Sequence, residues 1–299
     1  QPPRPSHGAR YVMWECPISV WARKRPSNIA IETDRDRFTY AECDRITSRL
    51  ILPPWRLSFA PEIGDPLSML AFFAAMRQGV IAAPFSPKLP ERAPSYTLKY
   101  GHTELGDRLL NPEAIATEIA TSGTTQEPKI IPHTIANHVY SALGSNEVLP
   151  VAPGDAWRLA LPLYHVGGIA ILFRTFLAGA TVTTREEATH LSLVPTQLRR
   201  LMRHGVPQRL RYLLLGGDVI PQSLVEKGRQ QGFPICPTYG MTEMSSQIAT
   251  NIDAPASSLG HPLPYRELRI VDGEIEVQGE TLSPRYKGWF RTGDLGAYD

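Results

Sequence analysis

IATSGTTQEPK (residues 119–129) runs from an apolar, strand-like lead into a cluster of hydroxyl side chains around one glycine, then Pro128 and Lys129. Small side chains let backbone N–H groups approach an anion, hydroxyls add donors, and a lysine supplies positive charge for phosphate oxygens. A Walker A loop is excluded, because Gly-x-x-x-x-Gly-Lys-Ser/Thr is absent. By composition alone a surface turn would be the favoured reading. The order Thr-Ser-Gly-Thr-Thr-x-x-Pro-Lys is far more specific than its composition, and it predicts an anion-binding loop that follows a strand.

On both sides of this loop, strand-like apolar runs alternate with helical patterns, which predicts an α/β protein with largely parallel sheets. PLSMLAFFAAMRQGVIAAPFSP (66–87) reads as a buried helix ended by Gly79, then a strand and a Pro-bounded loop. WRLALPLY (157–164) and ATVTT (180–184) flank the helical stretch GGIAILFRTFLAG (167–179). In HLSLVPTQLRRLMRHG (190–205) a short strand precedes a helix that Pro195 can start. RYLLLGGDVIP (211–221) is a buried strand broken by paired glycines, before a helix through about Gln231. ELRIVDGEIEVQG (267–279) alternates about Asp272-Gly273, a strong hairpin signal. TTREEATHLSL (183–193) joins two strands without the dozen or so residues a parallel crossover needs. That joint predicts a break in the chain, and VQGETLSPRYKGWF (277–290) and the region 100–120 are similarly compressed.

The 299 residues are 42% hydrophobic and allow two core-bearing units of about 150 residues. With 31 basic and 29 acidic side chains the net charge is +2, so there is no electrostatic case for nucleic acid. No uninterrupted apolar run of about 18 residues exists, which speaks against a membrane span. QPPRPSHGARYVMWECP (1–17) lacks a signal-peptide core and reads as a loose arm. Cys16, Cys43 and Cys236 form no CxxC pair, so neither a disulfide framework nor a structural zinc is expected, and a cytoplasmic setting fits best. Cys236 reads as a packing residue, since nothing near it supplies a base.

Four more segments follow the anion loop in order: LPLYHVGG (161–168), LLLGGDVIP (213–221), PTYGMTEMSSQ (237–247) and GWFRTGDLG (288–296). With residues 119–129 they resemble the adenylate-forming superfamily of acyl- and aryl-CoA ligases, luciferases and peptide-synthetase adenylation domains. They match its phosphate loop, histidine segment, adenine-side Gly-Gly turn, Tyr-Gly-x-Thr-Glu motif and Gly-Trp-x-x-Thr-Gly-Asp-Leu-Gly motif. The resemblance implies that residues 1–299 form the large N-terminal domain: two packed sheets with helices over about 10–255, and a small distorted β-barrel over about 256–299. Full-length relatives add a small C-terminal domain, which carries the adenylation lysine and rotates to build the thioester site.

In such enzymes a carboxylate attacks the α-phosphorus of ATP and pyrophosphate leaves in line, so catalysis rests on charge neutralisation and positioning. By resemblance, Glu243 is the Mg²⁺ ligand and Thr242 places its hydroxyl on the α-phosphate. Asp294 accepts from the ribose hydroxyls, and Tyr239 packs on the adenine. Gly216, Gly217, Gly240 and Met241 bring backbone close to the nucleotide. Thr121, Ser122, Gly123, Thr124, Thr125 and Lys129 hold the β- and γ-phosphates. His165, Thr242, Glu243 and Lys129 make up the implied catalytic set, with ATP and CoA as co-substrates and Mg²⁺ as cofactor; a homo-oligomer is compatible with this.

Gln126 stands where the family's phosphate loop usually carries a second glycine. If that position needs a positive φ, glutamine there is strained by about 1 kcal/mol. Gln126→Gly is therefore expected to tighten ATP binding roughly fivefold by direct titration; an unchanged affinity rejects the strain.

Three segments narrow the acid: LPLYHVGGIAILFRTFLAGA (161–180), SLVPTQLRRLM (192–202) and GFPICPTYGMTEMSSQIAT (232–250). They resemble the 2-succinylbenzoate–CoA ligases of menaquinone and phylloquinone biosynthesis. 2-Succinylbenzoate is a dianion whose succinyl carboxylate is activated, while the spectator aryl carboxylate needs a cation or several donors if buried. By resemblance Arg174, inside an otherwise apolar helix, is that cation, although an arginine there could instead reach solvent or pair with a structural acid. His165 would close the acid end, with Ser192, Thr196, Gly240 and Ser246 as further pocket residues and Gln197, Ser245 and Gln247 as lesser candidates. A benzoate- or other aryl/acyl-CoA ligase would need no Arg174. A nucleotide-binding module without turnover is the remaining alternative.

Overall fold

A computed structural model describes residues 13–88, 98–102, 105–121 and 128–298. Its largest layer is a nine-stranded sheet. Six strands in it run parallel, in the order Ile29–Glu32, Thr181–Thr183, Ala156–Arg158, His190–Leu193, Tyr212–Leu215, Ile235–Met241. Antiparallel edges close it, Arg37–Thr39 on one side and Ser246–Thr250 with His261–Pro262 on the other. His190–Leu193 is buried at all four positions, as expected of a parallel strand covered on both faces.

The second layer is a four-stranded sheet in the order Lys129–Thr134, Ile115–Thr121, Ile81–Pro84, Arg56–Phe59. Its first pair is antiparallel, and these two strands enter and leave the anion loop. Residues 122–127, and with them Ser122, Gly123, Thr124, Thr125 and Gln126, lie outside the described residues.

Between the sheets, helices Pro66–Arg77 and Val166–Ala178 pack almost entirely out of solvent. Asp65 caps the first through the amides of Leu67 and Ser68, with Pro66 in the opening turn where its missing N–H costs nothing. Phe73 lies 5.1 Å, centroid to centroid, from both Phe173 and Phe176. Each such ring contributes about 1.5–3 kcal/mol by burial, so this contact clamps the second helix at a fixed depth.

The hairpin Arg266–Val271/Glu274–Gly279 turns at Asp272-Gly273, both with positive φ (51° and 81°) as a type I′ turn demands. Phe290–Leu295 completes a three-stranded antiparallel sheet, so the α/β architecture with two large sheets and a small β part is the one expected. The nine-stranded sheet extends past residue 255, through His261–Pro262.

Two expectations need correction. The joint 183–193 is unbroken: residues 184–189 cross the single strand Ala156–Arg158, with Thr184 N–H bonded to Glu32 O and Thr189 N–H to Ala156 O. Strands of three and four residues need a return of only about 10–13 Å, within reach of six extended residues. The arm expected over 1–17 is structured from Trp14, where Trp14–Glu15 pairs with Leu109–Leu110 before helix Pro17–Lys24.

Cys16, Cys43 and Cys236 are free and buried, and burial raises the Cys236 thiol to about 11, which removes it as a nucleophile. Among the described residues no helix is long and apolar enough to cross a membrane.

Candidate active site

A cavity of about 380 Å³ opens at the carboxyl ends of the parallel strands His190–Leu193, Tyr212–Leu215 and Ile235–Met241, where open α/β sheets bind ligands. Ser192, Leu193 and Val194 come from the first, Leu214, Gly216 and Gly217 from the second, Thr238, Gly240 and Met241 from the third. Gly217 has φ 77°, so the strand can turn away and leave its backbone as cavity wall. Thr242, Ser246 and Gln247 close one side; Leu161, Pro162, His165, Val166, Gly167 and Arg174 close the other.

Gly167 and Arg174 sit two turns apart on one helix and so share the face that meets the cavity. Arg174 is 1% exposed, which excludes the solvent-reaching alternative. Its guanidinium donates to Ser246 Oγ at 3.2 Å and lies 5.4 Å from the Trp157 ring centroid. No carboxylate pairs with it among the described residues, and its Nε has no hydrogen-bond partner there. Desolvation, with the nearby buried Arg266 adding repulsion, presses its pKa down to about 9. The cavity therefore ends on an uncompensated buried cation. Beside it, Gln247 Oε1 is also buried without a partner.

His165 lies at the mouth, exposed, at the N-cap of helix Val166–Ala178; partial desolvation holds its imidazole below the ordinary value. Ser192 lines the cavity but its Oγ already accepts from Trp157 Nε1 at 3.0 Å. Thr196 is a correction: it is exposed and outside the cavity lining, on a helix whose buried side carries Pro195 and Leu198. Gln197 is spent on structure, accepting from Val194 N–H and donating to Ala160 O. Ser245 is fully buried and outside the cavity lining.

Glu243 sits on a 3₁₀ turn, Thr242–Met244, with Lys129 Nζ 3.9 Å from its Oε1. Lys129 also stands 4.9 Å over the Tyr286 ring. Thr121 lies opposite Lys129 in the strand pair and donates from Oγ1 to the Lys129 carbonyl at 3.3 Å. Tyr239 does not line the cavity; its hydroxyl donates to Asp294 Oδ2 at 2.7 Å, and burial with that carboxylate raises its pKa. Asp294 is exposed. Sequence reasoning missed Trp157, Thr238, Val194 and the hydrophobic mouth residue Leu161, none of which carries a local signal.

A family model described as AMP-binding enzyme matches residues 103–286. The 2-succinylbenzoate–CoA ligase of Salmonella typhimurium is 33% identical over 277 residues, covering 78% of this chain and 61% of the relative. That of Bacillus subtilis is 35% identical over 229 residues, 62% of this chain and 47% of the relative, so the chain spans about half to three fifths of these two enzymes. The Escherichia coli ligase is 29% identical and aligns over 340 positions with 94% of this chain and 74% of the relative; it carries insertions of about sixty residues that this 299-residue chain lacks. Among solved structures, O-succinylbenzoate coenzyme A synthetase (MenE) from Bacillus subtilis in complex with ATP and magnesium ion superposes with a TM-score of 0.85 at 26% identity, over 96% of this chain and 78% of that one. Escherichia coli MenE with a bound analogue of OSB-AMS gives 0.79 at 28%, over 96% and 72%. The motif order, a cavity at the strand carboxyl ends and a family match over most of the chain agree: this chain belongs to the AMP-binding enzymes.

Proposed function

We propose that this chain is the large domain of an ATP- and Mg²⁺-dependent acid–CoA ligase that activates 2-succinylbenzoate, as its menaquinone-pathway relatives do. The carrying observation is Arg174, a buried cation at the cavity end with no acidic partner among the described residues. A cation so placed favours an acid that brings a second, unreacting carboxylate. The free thiols fit a reducing compartment such as the cytoplasm.

In this reading Arg174 and Ser246 take the aryl carboxylate, and Gly240 and His165 direct the succinyl carboxylate toward the nucleotide. Gly216, Gly217 and Met241 would border the adenine, Tyr239 would hold its outer face, and Asp294 would accept from the ribose hydroxyls. Thr121 and Lys129, with Ser122, Gly123, Thr124 and Thr125, would receive the β- and γ-phosphates, and Thr242 would donate to the α-phosphate. The succinyl oxygen attacks the α-phosphorus; the new O–P bond forms as the bond to pyrophosphate breaks, leaving an acyl-adenylate whose acyl carbon the CoA sulfur would then attack, the C–S bond forming as the acyl C–O bond breaks and AMP leaves. One carboxylate, Glu243, faces the phosphate end, which suits Mg²⁺ carried mainly by ATP's own oxygens. Among the described residues no group of three or more metal-ligating side chains offers a separate cage. Bound there, Mg²⁺ would neutralise charge developing on the phosphates.

Thermal shift tests the reading. With a non-hydrolysable ATP analogue present, succinylbenzoate is expected to raise the melting temperature and benzoate is not. At a hundred times Kd the gain is about 2.7 kcal/mol. Equal shifts with both acids favour a general aryl–CoA ligase, and no shift with the analogue alone or with either acid rejects a working nucleotide site.

A further inference from the structure

Behind the phosphate side lies a buried polar cluster that the reaction above does not use. His133 is 0% exposed and His138 1%. Thr117 and His133 face each other in the strand pair Ile115–Thr121/Lys129–Thr134, the two strands that lead into and out of the anion loop. Thr117 Oγ1 lies 2.8 Å from His138 Nε2 and 3.5 Å from His133 Nδ1. His138 in turn stacks on Phe173 of the central helix, ring centroids 4.7 Å apart.

His133 Nε2 is 2.6 Å from the carbonyl oxygen of Thr242. A carbonyl can only accept, so the proton is on Nε2 and Nδ1 is left as an acceptor. Burial drives the His133 pKa down to about 4 and that of His138 well below its usual value, so both rings are neutral and the tautomer is set by these contacts. The same Thr242 carbonyl receives Ser245 N–H at 3.0 Å, closing the turn that carries Glu243. Ser245 closes it at φ 53°, a left-handed conformation that costs a non-glycine residue about 1 kcal/mol or more. A turn with that cost is held from outside. Lys129 and His133 are four residues apart on one strand and therefore share a face. From that face Lys129 reaches the Glu243 carboxylate and His133 reaches the preceding carbonyl. Ser283 adds a third tie, donating its N–H to Glu243 O and its hydroxyl to Pro132 O.

We infer that His133 is a positioning residue of the nucleotide site: its Nε2–H, aligned by Thr117 and His138, pins the Thr242 carbonyl and thereby sets the Thr242 hydroxyl and the Glu243 carboxylate relative to Lys129. The inference rests on the nucleotide reading proposed above. It assigns the cluster to the phosphate and Mg²⁺ end and not to the adenosine end.

Titration calorimetry on the full chain with MgATP and with adenosine separates these ends. His133→Leu is expected to weaken MgATP about tenfold and adenosine less than twofold. His133→Gln, whose side-chain amide can donate to the same carbonyl, should return MgATP to within threefold of the parent. Thr117→Val keeps the shape but removes the aligning hydroxyl, and is expected to cost MgATP about threefold with adenosine unchanged; it decides the matter should the leucine variant not fold. Equal weakening of both ligands, a glutamine variant as poor as leucine, or unaltered MgATP binding in folded variants overturns the positioning role. Parent protein that binds no MgATP overturns the nucleotide reading itself, a result recognisably different from these.

Discussion

Arg174→Met is expected to weaken binding of 2-succinylbenzoate roughly a hundredfold while leaving benzoate within about threefold. Removing one partner of a buried, hydrogen-bonded charge pair costs about 3 kcal/mol, and each 1.4 kcal/mol is tenfold in affinity. The methionine fills much of the same volume, so the pocket wall against Trp157 and Ser246 stays close to its present shape. Stability should move the other way. Arg174's folded-state pKa, pressed to about 9, lies below its ordinary value. A base whose folded pKa is depressed binds its proton less readily folded than unfolded, so its charge destabilises the fold throughout the range below pH 9. A guanidinium does not in practice give up that proton, so the cost is carried as lost stability at neutral pH. Ligand-free Arg174→Met should therefore melt higher than the parent, yet lose the extra shift that succinylbenzoate confers. A variant that melts lower, or that still distinguishes the two acids, would show the arginine to be structural. A cation retained at a cost to the empty protein is the signature of a site kept for its ligand.

What could be read from the chain in advance follows from where each constraint resides. Residues chosen for backbone geometry or for charge at a fixed offset show in a linear string: Asp272-Gly273 in its hairpin, Gly216-Gly217 at the strand end, Arg174 alone in an apolar helix. Their neighbours in space do not. Trp157, under the Arg174 guanidinium, comes from a strand that ends before the helix begins, and nothing in AWR announces that contact. His133 carries no signal of its own in the string, since its partner Thr242 is 109 residues away. The resemblance puts Tyr239 on the adenine face, but the string does not show that strand alternation turns Thr238 and Gly240 to the cavity and Tyr239 toward Asp294. Thr196, one residue past the proline that starts its helix, falls on that helix's exposed side, which the string does not show.

Gly240→Ala is expected to destabilise the protein by about 3 kcal/mol, lowering its melting temperature by roughly 5–10 °C, and to abolish acid discrimination in whatever folds. An ideal Cβ on Gly240 would lie 2.1 Å from the Ser246 carbonyl oxygen, 2.8 Å from its carbon and 3.0 Å from Gln247 Cα. All three are backbone atoms, so no side-chain rotation can make room. Gly240 pairs with Gln247 where the register between Ile235–Met241 and Ser246–Thr250 shifts, and Ser246 itself sits at φ 104°. Pushing that segment away would move Ser246 Oγ, which accepts from Arg174, together with Gln247 on the cavity wall. A single methyl group thus strikes the irregular strand pair, the Arg174–Ser246 hydrogen bond and the shape of the pocket at once. Gly64 supplies the control, since a Cβ there meets nothing within 4 Å. Gly64→Ala should change stability by no more than about 0.5 kcal/mol and leave ligand binding alone. Melting curves of the two variants, with and without succinylbenzoate and the ATP analogue, make the comparison. If Gly240→Ala melts with Gly64→Ala and still prefers the dianion, the close approach at Gly240 shapes neither the fold nor the pocket.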